Sequence, residues 1–97
     1  MGEEIRTKFL STVGGVMTEE AGAVTGELEL LTRPAGENRL EALVRYAGAE
    51  KWYTVLGSPV TTDGEDHCAS HEMMLARLTT PGPVESSSEQ PVDLQER

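Results

Sequence analysis

VTGELELLTRPAGENRLEALVRY, residues 24–46, is the stretch whose reading decides the fold. Its first ten residues alternate, with Val24, Gly26, Leu28, Leu30 and Thr32 on one side. Its last seven alternate likewise, with Leu40, Ala42, Val44 and Tyr46 together. A period of two is the mark of a half-buried strand. Between them Pro34, Ala35, Gly36, Glu37 and Asn38 form a cluster of turn formers. The spacing therefore predicts an antiparallel hairpin. Setting Leu28 against Val44 and Leu30 against Ala42 places both apolar sets on one face and Glu27 across from Arg45, an opposite-charge cross-strand pair.

Working outward, a turn at residues 48–50 leads to a third strand at 51–56 (KWYTVL). Pairing Tyr46 with Trp52 turns Trp52, Thr54 and Leu56 inward and Tyr53 and Val55 outward. Residues 5–16 supply a fourth strand with Ile5, Phe9 and Val13 on one side. Gly14 and Gly15 mark a bulge or bend in it, and residues 18–22 (TEEAG) are its hairpin turn. Residues 63–78 (DGEDHCASHEMMLARL) carry a helical stripe of His67, His71, Met74 and Leu78. Asp63 is the expected N-cap, Glu65 falls in the first turn, and the helix should end near Thr79, before Pro81 and Gly82. The fold class is α+β: a four-stranded antiparallel meander with one C-terminal helix packed on one face. Residues 1–80 form a single domain. Residues 81–97 carry three prolines and three consecutive serines with almost no large apolar residue, so a disordered acidic tail is expected, with Val92 and Leu94 as a short docking motif within it.

Composition bounds the function. Ninety-seven residues with four aromatics and one isoleucine build one thin-cored domain. Self-association or a partner would relieve that shortage of core. Seventeen acidic against eight basic residues give a net charge of −9, which repels phosphate and argues against direct nucleic-acid binding. The same charge suits a basic protein partner, so a nucleic-acid mimic blocking a basic groove is a third reading behind the two developed below. A single cysteine forms no internal disulfide. The first residues lack the apolar core of a signal peptide, and no run approaches membrane-spanning length. A cytoplasmic location with no membrane contact is the expectation. Six arginines against two lysines suggest a bacterial origin of high GC content.

The motifs of several enzyme classes are missing. There is no phosphate-binding GxxxxGK[ST] or GxGxxG, no nucleophile elbow around Ser58, and no CxxC pair. Chemistry could concentrate only around His67, Cys68 and His71. The two histidines have the i, i+4 spacing of helical metal ligands, yet Cys68 stands where zincin chemistry needs a glutamate. Cys68 could serve as a nucleophile with either histidine as base, but a catalytic pair within one helical turn rarely leaves room for substrate and an oxyanion site, and a buried structural cysteine is the favoured reading. Neither a metal nor a cofactor is expected, and His71 is read as a buried structural residue.

Two functional readings follow. The first is a small acidic, non-enzymatic interaction or regulatory module, a homodimer or the partner of another protein. It would use an apolar strip on the open sheet face: Leu31, Leu43, Tyr53 and Val55. The second is a small-molecule or metal-binding protein, an enzyme among the possibilities, with a pocket between sheet and helix lined by Tyr46, Trp52, His67, Cys68 and His71.

Overall fold

The computed structural model describes residues 4–62, 66–82, 84–85 and 87–95. The fold is α+β, an antiparallel sheet of several strands with one helix. The main sheet has five strands: β1 (Ile5–Leu10), β4 (Glu27–Pro34), β5 (Arg39–Tyr46), β6 (Tyr53–Thr54) and β7 (Val60–Thr61), the last two pairing with one edge of β5. Between β1 and β4 the chain makes a separate small hairpin, β2 (Val16–Thr18) with β3 (Gly22–Val24). The helix α1 (His67–Leu78) is followed by a third hairpin, β8 (Val84–Glu85) with β9 (Ser88–Glu89). The meander is thus interrupted by one excursion, and the helix is not the last element.

Each departure has a local cause. The expected first strand ends at Leu10, and the chain then turns before β2 at Gly14-Gly15, where Gly15 takes φ 81° and an added Cβ would come within 2.5 Å of the Val24 carbonyl oxygen. Residues with side chains resist both conditions. The turn at 18–22 forms where expected, because the Thr18 hydroxyl accepts from the Ala21 N–H and donates to the Gly22 carbonyl. The third strand splits after Val55. The Ala42 N–H donates to the Ser58 hydroxyl there, so β5 keeps a bonded partner while Leu56 and Gly57 leave the sheet. The helix starts at Asp66, whose carboxylate accepts from the Ala69 N–H at 3.2 Å. The expected cap Asp63 and its neighbour Glu65 lie outside the described residues.

Register corrects the reading in two ways. Leu30 faces Val44, Leu28 faces Tyr46, and Glu29 rather than Glu27 faces Arg45. That shift of two residues leaves every side chain on its expected face. Along the third strand the shift is one residue: Val44 pairs with Tyr53 and Leu43 with Thr54. A one-residue slip exchanges faces, so Tyr53 and Val55 turn inward and Trp52 outward.

The core lies between the inner face of the sheet and α1. Leu28, Leu30, Ala42, Val44, Val55 and Leu78 are all fully buried there. The small hairpin closes it with Val16 and Val24. Residues 90–95, expected to be disordered, complete it. Val92 pairs in parallel with Val16, its N–H donating to Gly15 and its carbonyl accepting from Met17. The Leu94 N–H donates to the Leu56 carbonyl, and both side chains join the core cluster. Gly57 makes this possible: at φ 98° its added Cβ would lie 2.4 Å from the Gln95 nitrogen. A segment too poor in apolar residues to fold alone is ordered by a seat built elsewhere in the chain.

Candidate functional site

The inner face carries one polar node inside an otherwise aliphatic layer. His71 is fully buried, its Nδ1 lying 2.7 Å from the Thr32 hydroxyl and its Nε2 2.9 Å from the Thr7 hydroxyl. His67 Nε2 reaches the same Thr32 oxygen at 3.0 Å. A hydroxyl has one proton and two lone pairs, so Thr32 can donate to one imidazole while accepting from the other. A neutral His71 is satisfied in either direction of this chain. Burial holds its pKa below the ordinary 6.5, and His67 nearby adds to the effect while Glu72 opposes it. Next to it, the Ser70 hydroxyl is buried with no hydrogen-bond partner among the described residues.

The residues of the pocket reading do not converge. His67 and His71 bond to the sheet's inner face, but Trp52 stands on the other face. Tyr46 ends β5 with 42% of its surface exposed, and Cys68 is exposed on the helix. Among the described residues no group of three or more His, Cys, Asp or Glu could hold a metal ion, and no helix is long and apolar enough to cross a membrane.

The strip reading is also revised. Val55 lies in the inner core with Tyr53 packed beside it. Leu31, at 3% exposure, is on the outer face but covered. Leu43 alone of the four is both outward and partly accessible. Long side chains meet on that face. Trp52, half-buried, has the Arg45 guanidinium 4.5 Å and the Arg6 guanidinium 5.6 Å from its ring centre, within cation–π range. Arg6 comes from the edge strand β1 and Arg45 from β5, so ring and guanidiniums together span the face above β4. Arg45 is fixed by Glu29 at 2.7 Å and by the Ala49 carbonyl.

Around that centre the outer face is arranged in rows set by the register. One row is Glu4, Arg33 and Glu41, joined by ion pairs of 3.8 and 2.7 Å. The next is Arg6, Leu31, Leu43 and Thr54, and the third Lys8, Glu29 and Arg45. With Arg39 further along β5, this face holds five of the eight basic residues. The excess of carboxylates lies elsewhere: on the hairpin turn (Glu19, Glu20), the helix (Asp66, Glu72) and the C-terminal segment (Glu89, Asp93). Leu31 and Leu43 lie on the face the sequence assigns to them, whereas Trp52, assigned to the inner pocket, stands on the outer face with Arg6 and Arg45, which the sequence reading does not single out for a surface. The missed signal was an aromatic whose two flanking residues, Lys51 and Tyr53, left its face undecided.

No protein-family model, no curated protein and no solved structure matches the chain.

Proposed function

We propose that the protein is a small non-enzymatic interaction module that self-associates through the outer face of its sheet, with Trp52, Leu43, Arg6 and Arg45 at the centre of the contact. The observation that carries this reading is the position of Trp52. The only tryptophan of a thin-cored chain lies outside the core, held between two guanidiniums beside a partly accessible leucine. Tryptophan and arginine are the residues most enriched at the energetic centres of interfaces. The ion pairs of Arg6 with Glu4 and of Arg45 with Glu29 hold the two arginines before any partner arrives, which lowers the ordering cost of association. The inner face does not favour a catalytic reading, because both nitrogens of His71 are taken up by Thr32 and Thr7 under the helix.

Sedimentation equilibrium tests the proposal. Leu43→Glu should shift the wild-type dimer to monomer, because a carboxylate would be buried against the second copy. Met73→Glu, on the exposed side of the helix layer, should leave the mass unchanged. A wild type that stays monomeric at high concentration and yields no protein partner ends this reading.

A further inference from the structure

The charge rows of the outer face specify how two copies would meet, an inference that rests on the self-association reading and adds to it the geometry of the contact. Two sheets packed face to face lie about 10 Å apart with their strands roughly aligned. A two-fold axis lying between them can run along the strands or across them. An axis along β4 sets each row against itself reversed: Glu29 and Arg33 each meet their own copies, Lys8 meets Arg45, and Glu4 meets Glu41. Every one of these pairs is of like charge. An axis across the strands, through the row of Leu31 and Leu43, exchanges the two flanking rows. Glu4 then meets Lys8, Arg33 meets Glu29, and Glu41 meets Arg45, all of opposite charge.

We infer that the protein forms a face-to-face dimer whose two-fold axis crosses the strands at Leu31 and Leu43, pairing the Glu4–Arg33–Glu41 row of one copy with the Lys8–Glu29–Arg45 row of the other. The central row brings Leu43 against its counterpart. Arg6 would also meet its counterpart, but it is drawn aside over Trp52 and held by Glu4 at 3.0 Å. Only opposed charges of this sort discriminate one packing from another, since like-charge juxtaposition is strongly unfavourable.

The test uses Glu4 and Lys8, which sit about 13 Å apart along one strand and so do not pair within a chain. Both are at the sheet's exposed edge strand, where substitution spares the core. In the full-length protein at low salt, Glu4→Lys and Lys8→Glu should each weaken the dimer by about tenfold, because each change acts twice across the axis. The double variant Glu4→Lys/Lys8→Glu should bind more tightly than the Glu4→Lys single, because the opposed signs across the axis are exchanged, but short of wild type, because the pairs of Glu4 with Arg6 and Arg33 within the chain are lost. An additive double loss, or singles that leave the dimer unchanged, overturns the inference. If Leu43→Glu still dissociates that dimer, the outer face stands as the contact and only the axis is wrong. If Leu43→Glu also leaves the dimer intact, the outer-face reading falls with it.

Discussion

The two faces of the sheet bury comparable residues by different means. The inner face is covered by a helix, a small hairpin and a C-terminal segment, and Leu28, Leu30 and Val44 have no accessible surface. A hydrogen-bonded chain runs beneath the helix from His67 through Thr32 and His71 to Thr7. Among the described residues no helix or strand covers the outer face. Leu31 is nonetheless only 3% exposed there, on the face where the Trp52 ring carries the Arg6 and Arg45 guanidiniums, side chains long enough to cover apolar surface while their charged heads stay in reach of water. A thin domain can therefore close one side by packing elements and the other by long side chains. Only the second kind of cover can be rearranged by a partner without unfolding the domain.

This contrast can be broken at several points. The largest effect should come from the inner face: Leu30→Ala should cost about 3 kcal/mol in chemical denaturation, as expected for a cavity in a closed core. Leu43→Ala should cost less than half of that. Equal losses would mean that the outer face is packed as tightly as the inner one.

Thr32→Val keeps the shape but removes the hydroxyl shared by both imidazoles, leaving His71 Nδ1 buried without a partner. A loss of about 2 kcal/mol is expected. The same node gives a pH signature. His71 titrates below the ordinary 6.5 when folded, so the unfolded chain binds more protons between that value and the lowered one. Its stabilising contribution is complete above about 6.5 and declines as pH falls toward the folded pKa. Glu20, whose carboxylate accepts from the Thr54 hydroxyl and N–H, titrates below its ordinary 4.5 and so acts only at lower pH. Melting temperatures from pH 7.5 to 5.5 should fall in the wild type and stay flatter in His71→Leu. A wild-type profile without slope in that range would contradict the buried neutral imidazole.

On the outer face Trp52→Leu retains apolar cover but loses both cation–π contacts, and about 1 kcal/mol of stability should go with them. Smallest of all, raising salt to about 1 M should cost the monomer only a few tenths of a kcal/mol, because the pairs of Glu4 and Arg33 are exposed and already weak while the partly buried Arg45–Glu29 pair is screened little. A salt effect larger than that of Trp52→Leu would show that ion pairs, rather than the aromatic cover, hold the outer face.

Period-two patterns made much of the molecule legible. The hairpin of β4 and β5 survived a two-residue register error because such a shift preserves faces, and the charge pair with Arg45 simply moved from Glu27 to Glu29. The helix was legible from the stripe of His71, Met74 and Leu78, all three buried. Residues 51–56 were not. Trp, Tyr, Val and Leu occupy both parities there, so the sequence has no preferred inward set, and a slip of one residue exchanged Trp52 with Tyr53. That slip placed the outer surface around the wrong residues and drew a pocket around Trp52 that the fold does not form.

The sequence by itself determined what local alternation, turn chemistry and helical spacing can determine: an antiparallel α+β domain, its central hairpin, its helix and the burial of His71. Tertiary structure alone decided the face of Trp52 and the seat of Val92 and Leu94. The ring's side is set by where β6 enters the edge of β5. The order of residues 90–95 depends on a groove made by Gly15, Met17, Leu56 and Gly57, which come together only when the rest of the chain has folded. Composition measures how much apolar surface a segment brings, whereas its order depends on what that surface meets.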